Sequence, residues 1–150
     1  MSDLSDLYQE VILDHNRRPR NWGPLPDATR SAEGYNPLCG DRLKLHVKIE
    51  GDRIAGVSFE GSGCAISKAS ASLMTDAIKG RTLGEAFELF DRVHEMLTTP
   101  IALPVDESKV GKLAVLSGVR EFPTRVKCAS LAWHTLKSAL VNPAEVAHTE

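Results

Sequence analysis

Four residues of this 150-residue chain have the types and placement for metal or thiol chemistry: Cys39, Asp41, Cys64 and Cys128. In Cys39-Gly40-Asp41 a sulfur and a carboxylate stand two residues apart across a glycine, which lets both point to one side and grip one ion. Soft ligands from Cys64 and Cys128 would complete three thiolates and one carboxylate, a donor number and softness that zinc accepts. Such a centre is anionic, and Arg125 and Lys127, flanking Cys128, would offset its charge and help hold the thiolates deprotonated. Plainer readings stand beside this one. A free cysteine is often only a small buried hydrophobe, and Asp41 can simply stabilise a turn.

The elements that must position these residues are legible in the periodicity. Leu4, Leu7, Tyr8, Val11 and Ile12 repeat at helical spacing, so the chain opens with an amphipathic helix ending around Asp14 to Asn16. A proline-rich loop follows to Pro26, and its Arg17, Arg18 and Arg20 read as a solvated basic surface. Leu43 to Glu50 alternates strictly, Gly51-Asp52 marks a hairpin, and Arg53 to Gly61 returns with a bulge signal at Gly56. Residues 28–34 offer a weakly patterned third strand. Cys64 to Lys79 predicts a helix, and Thr82-Leu83-Gly84-Glu85 is a capping box for another that Pro100 ends. A short helix over Ser108 to Ser117, bounded by Gly118, and a last one over Arg125 to Val141 complete the chain.

Helix, small sheet, then a run of helices is the segregated α+β arrangement: a small antiparallel three-stranded sheet with helices packed on one face, in a single domain spanning 1–150. Cys39 falls in a tight turn before the first clear strand. Cys64 and Cys128 each fall in the first turn of a predicted helix, where free N–H groups and the helix dipole favour a thiolate. His46 reads as a solvated residue on the outer strand face, His94 as a packed or interface histidine on its helix stripe, and Ser70-Ala71-Ser72 as small residues permitting close packing.

Composition narrows the function classes. Hydrophobic residues at 42% and charged residues at 25% are ordinary for a folded globular domain. A net charge of -2 gives no field for polyanions, which argues against a nucleic-acid partner. The apolar stretches fall far short of the roughly 20 residues that span a bilayer, and the acidic start is unlike a signal peptide, so a membrane role is not expected and the cytoplasm is. Three widely separated cysteines in a reducing compartment do not suit a disulfide framework.

Three segments, Asn36-Pro37-Leu38-Cys39-Gly40-Asp41, Gly61 to Ser72, and Arg125-Val126-Lys127-Cys128-Ala129-Ser130-Leu131-Ala132-Trp133, resemble the SufU branch of the IscU/NifU N-terminal-like family. The similarity also takes in Tyr8 to Asn21 and so covers nearly the whole chain. Two departures from the IscU scaffolds themselves are in keeping with that branch: Lys127 stands where those carry a histidine, and extra residues lie within Gly80 to Val119. The resemblance implies a zinc ion held by Cys39, Asp41, Cys64 and Cys128; Arg125 reads either as a supporting residue behind these ligands or as an ordinary helix-start cation. It also implies a SufS-type cysteine desulfurase as partner. Cys39 would accept sulfane sulfur from the partner's persulfide and pass it to a downstream iron–sulfur assembly scaffold. A partner group, by resemblance a histidine, would replace Cys39 on the metal and free its thiolate only when the desulfurase is docked. The alternatives are a scaffold that builds an iron–sulfur cluster on the same cysteines, and a non-catalytic docking module whose zinc only holds the fold.

Overall fold

A computed structural model describes residues 3–141 and 147–148. The elements run α1 (Asp3–Arg17), β1 (Arg30–Asn36), β2 (Asp41–Glu50), β3 (Arg53–Ser62), α2 (Ala65–Ile78), α3 (Leu83–Thr98), two 3-10 segments (Glu107–Lys109 and Gly111–Glu121), α4 (Pro123–Val141) and β4 (Ala147–His148). The expected antiparallel sheet is present, with β2 between β1 and β3, and its weakly patterned strand β1 lies two residues later than the sequence suggested. The β2–β3 register slips between Lys48 and Ile49, leaving Ala55 as the extra residue beside Gly56. That bulge lets Ile54 and Val57, three residues apart, both face the core.

All the helix contact is on one side of the sheet. α4 packs on β1 and β2, α2 packs on β3 and against α4, and α1 and α3 lie outside them against the longer 3-10 segment. Leu45, Val47 and Phe59 of the sheet meet Met74 and Ile78 of α2 and Leu131, Trp133 and Leu136 of α4 in one buried cluster. Ser70, Ala71 and Ser72 are all fully buried, with Ser70 Oγ donating to Ala129 O of α4 at 2.5 Å and Ser72 facing α1. The capping box forms at Thr82 and Glu85.

Both edges of the sheet are covered. β4, a strand the periodicity did not foreshadow, lies parallel to β1 at Gly34 and Tyr35. At the other edge Gly23 N donates to Phe59 O and Phe59 N donates to Asn21 O, so the loop after α1 pairs with β3.

Three expectations need correction. The helix over 108–117 is instead 3-10, broken at Gly111 (φ +58) and running past Gly118 to Glu121. Its buried residues are Leu113, Ala114, Val115, Leu116 and Val119. The last helix starts at Pro123, whose fixed φ suits a first helical position, so Cys128 lies in the second turn and not the first. His46 is only 9% exposed: in register with Ser31 and Ser58, it bonds Ser31 Oγ through Nδ1 and Glu60 Oε1 through Nε2, each at 3.1 Å. His94 is exposed, and its ring stacks on Phe90 and meets His134 edge-on.

His15 anchors α1. Ser72 Oγ accepts from Arg20 N at 2.8 Å and shares a 2.7 Å hydrogen bond with His15 Nδ1, tying α1 to α2. Burial and the Arg20 charge hold His15 below the usual imidazole range, and burial does the same for His134. A histidine with a depressed folded-state pKa adds stability above its unfolded pKa and loses it as pH falls below that value. The urea midpoint is therefore expected to drop between pH 7.5 and pH 5.5, with His15→Gln flattening part of the slope; equal slopes would show that His15 titrates as in the unfolded chain. Packing gives a second expectation. A Cβ on Gly34 would overlap Thr135 Oγ1 and press on Leu131, so Gly34→Ala should cost about 1–3 kcal/mol in urea unfolding.

Candidate metal centre

The candidate ligands come from separate elements that meet at one end of the sheet. Asn36 and Asp41 are paired in register, which makes Pro37 to Gly40 a four-residue hairpin loop with Gly40 at φ +72 and Cys39 on its exposed tip. Asp41 opens β2 and is fully buried. Cys64 is the N-cap of α2, its sulfur accepting from Ser67 N at 3.4 Å. Cys128, 2% exposed, comes from α4.

Cys39 Sγ and Cys128 Sγ are 3.3 Å apart, and with a carboxylate oxygen of Asp41 they form a group whose atoms all lie within 4.8 Å of one another. Cys64 joins through Asp41: its backbone N–H donates to Oδ1 at 2.9 Å and its sulfur is 3.8 Å from Oδ2. Gly63 makes this possible, because at φ +152 it passes where a Cβ would overlap the Asp41 carboxylate. The cysteines border an open cavity of about 600 Å³ whose other wall is Gln9, Ile12 and Leu13 of α1.

The electrostatics fit a cation. Burial pushes the Cys128 thiol far above the ordinary cysteine range, with the Cys39 hydrogen bond and the Cys64 charge adding to the effect. This overturns the expectation that helix position alone favours a thiolate there; one turn further in, desolvation wins over the helix N-terminus. Among the described residues no lysine or arginine pairs with the buried Asp41 carboxylate. A buried carboxylate beside three sulfurs is the donor set that a divalent soft-to-borderline metal satisfies.

Arg125, named from sequence as a supporting residue, lines the cavity but is exposed, its guanidinium 4.6 Å over the Phe122 ring. The residue that does stand behind the sulfurs is Asn36, fully buried, whose Nδ2 donates to Cys128 Sγ at 3.6 Å and whose Oδ1 accepts from Leu38 N at 3.2 Å. Its place in an Asn-Pro turn is a sequence signal for the second bond. Nothing in the sequence ties it to a sulfur 92 positions away.

With that geometry in place, comparison with known proteins identifies the family. Residues 7–142 match the family described as the NifU-like N terminal domain, and the chain belongs to it. It is 41% identical over 140 residues, 93% of this chain and 92% of the relative, to the zinc-dependent sulfurtransferase SufU of Bacillus subtilis. It is 40% identical over 148 residues, 99% of this chain and 91% of the relative, to the iron-sulfur cluster assembly scaffold protein IscU of Streptococcus pyogenes serotype M1. A crystal structure from Fervidobacterium islandicum AW-1, described as a candidate iron-sulfur cluster assembly scaffold for the SUF system, superposes with a TM-score of 0.80 at 37% identity, covering 87% of this chain and 94% of that one. No described helix is long and apolar enough to cross a membrane.

The placement of Asp41 carries a prediction. Gly63→Ala should lower zinc affinity about tenfold or more in competition with a chromophoric chelator, as disturbing a ligand's support commonly does. Unchanged affinity would mean that Gly63 does not govern where the carboxylate sits.

Proposed function

We propose that this protein is a zinc-dependent sulfur carrier: Cys39 accepts sulfane sulfur from the persulfide of a SufS-type cysteine desulfurase and passes it to an iron–sulfur assembly scaffold. One observation carries the reading. Of three sulfurs drawn to one carboxylate, only that of Cys39 is on an exposed loop, while Cys64 is half-buried and Cys128 buried. A ligand on an exposed tip is one that a docked partner can reach. The 41% identity to a zinc-dependent sulfurtransferase supports the same reading.

Cys39, Asp41, Cys64 and Cys128 are the residues that would hold zinc, which when bound stabilises thiolates in a site that otherwise keeps Cys128 protonated. In the transfer step the Cys39 thiolate attacks the outer sulfur of the partner's persulfide. A new S–S bond forms on Cys39, the old S–S bond breaks, and its electron pair leaves on the partner's cysteine thiolate. The outer sulfur moves without any external oxidant. Asp41, Cys64 and Cys128 stay as the buried anchor, and Arg125 on the cavity rim offers positive charge to an incoming anionic persulfide. Thiols survive this cycle only in a reducing compartment, which suits the cytoplasm.

Cluster assembly on the same cysteines is the second reading, favoured by the 40% identity to an IscU scaffold. Elemental analysis and an absorption spectrum of protein purified anaerobically separate the two. About one zinc per chain and no visible absorbance is the expected result; iron with acid-labile sulfide and a brown chromophore would put the scaffold first. After incubation with the desulfurase and cysteine, mass spectrometry should find one extra sulfur on the peptide containing Cys39. Cys39→Ala should lose both that sulfur and the stimulation of the desulfurase. Undiminished stimulation, or label on Cys64 or Cys128, would sink the transfer role of Cys39.

A further inference from the structure

A sulfur carrier with two sulfurs 3.3 Å apart has a built-in side reaction. Once Cys39 carries a persulfide, Cys128 can attack the inner sulfur: an S–S bond forms between Cys39 and Cys128, the bond to the outer sulfur breaks, and that sulfur leaves as hydrosulfide. The atoms and electrons balance without an added oxidant, so what holds the reaction back is the state of Cys128: its burial, its place among the metal ligands and the hydrogen bond it accepts. The cargo would be lost and the site closed as a disulfide.

We propose that Asn36 is the positioning residue that suppresses this reaction and keeps the transferred sulfur on Cys39, an inference that rests on the transfer reading above. The side chain is fully buried and uses both ends. Its Nδ2 donates to Cys128 Sγ at 3.6 Å, a normal separation for an acceptor as large as sulfur. A donor on that sulfur ties up a lone pair and lowers its power to attack, while the hydrogen bond fixes where Cys128 points. Its Oδ1 accepts from Leu38 N at 3.2 Å and its backbone oxygen accepts from Gly40 N at 2.8 Å, so the same residue shapes the loop on either side of Cys39. One amide therefore holds the acceptor loop and restrains the competing sulfur. Neither Cys39 nor Cys64 receives an Asn or Gln amide among the described residues.

Asn36→Ser separates the two tasks. A serine hydroxyl can still accept from Leu38 N in a turn of the same kind, but it is too short to reach Cys128. Metal-loaded protein is charged with inorganic polysulfide, freed of excess donor, and followed for hydrosulfide release and by whole-protein mass spectrometry. Because release is read as a first-order rate per loaded molecule, incomplete folding or loading of the variant does not distort it; circular dichroism and zinc content are checked on the same samples. The wild type should retain its extra sulfur, and Asn36→Ser should release hydrosulfide about fivefold faster, the rate factor that loss of one ordinary hydrogen bond allows. The product should be two hydrogens lighter than the unloaded chain, with Cys39 and Cys128 joined in the peptide map. Adding Cys128→Ser, which also removes a metal ligand, should abolish the Cys39–Cys128 disulfide in the peptide map. Equal release from the wild type and Asn36→Ser overturns the role of Asn36 and leaves the transfer reading intact. A wild type that never takes sulfur on Cys39 overturns both.

Discussion

The Asp41 carboxylate is fully buried at the start of β2, and the end of the sheet where it lies is arranged around that fact. Removing a carboxylate from water costs several kcal/mol unless donors or a cation replace its hydration. The chain supplies two donors from the N-cap of α2, Cys64 N and the weaker Cys64 thiol, and no cationic side chain among the described residues. It also clears space: Gly63 leaves room for the carboxylate, and at Gly61 a side chain would strike the carbonyl of Arg42 on the neighbouring strand. The glycines of Gly61-Ser62-Gly63 are thus where the β3–α2 connection must run close to β2 to bring Cys64 to Asp41. What remains unsatisfied is negative charge, and three sulfurs from a loop, a helix cap and a helix interior converge on it.

Those sulfurs differ in exposure, and exposure sorts their roles. Cys128, on α4 where that helix packs against the sheet, is held by the same packing that fixes Trp133 and Leu136, so it can move only if the core moves. Cys64 is restrained by its N-cap bond to Ser67. Cys39 is anchored through its neighbours, Leu38 and Gly40, both bonded back to Asn36, while the residue itself is exposed and its sulfur reaches in to Cys128. The rigid half of the centre is core and the reactive half is loop, a division suited to a ligand that must bind, leave and return.

Much of this was legible in the sequence, for local reasons. Strict alternation over Leu43 to Glu50, the Gly51-Asp52 turn and the Thr82-Glu85 capping box are decided by neighbours within a few residues, and all three formed as read. What escaped depends on distant partners. His46 sits on the polar face, yet Ser31 and Glu60 from the two flanking strands cover it. Cys128 looked like a helix-start thiolate because Arg125 was taken as the first helical residue, when Pro123 is. The short helix read over Ser108 to Ser117 is a 3-10 segment that runs to Glu121. The four ligand candidates were named from spacing and resemblance, and the fold does bring Cys39, Asp41 and Cys128 together, with Cys64 bonded to Asp41. Asn36 escaped as a partner of Cys128, since an amide donor to a sulfur on another element leaves no local pattern.

The covering of both sheet edges bears on how such a protein survives in a crowded cell. A three-stranded sheet has two rows of unpaired backbone groups, each a template onto which another chain can add a strand. Here β4 takes up part of the β1 edge and the segment Asn21 to Gly23 occupies β3 at Phe59, so neither outer strand is a bare ladder. β1 is also the strand that ends in Asn36. A foreign strand adding at Gly34 or Tyr35 would have to displace β4 two residues from the turn that carries Cys39. Guarding that edge protects the molecule against aggregation and shields the reactive loop with the same few hydrogen bonds.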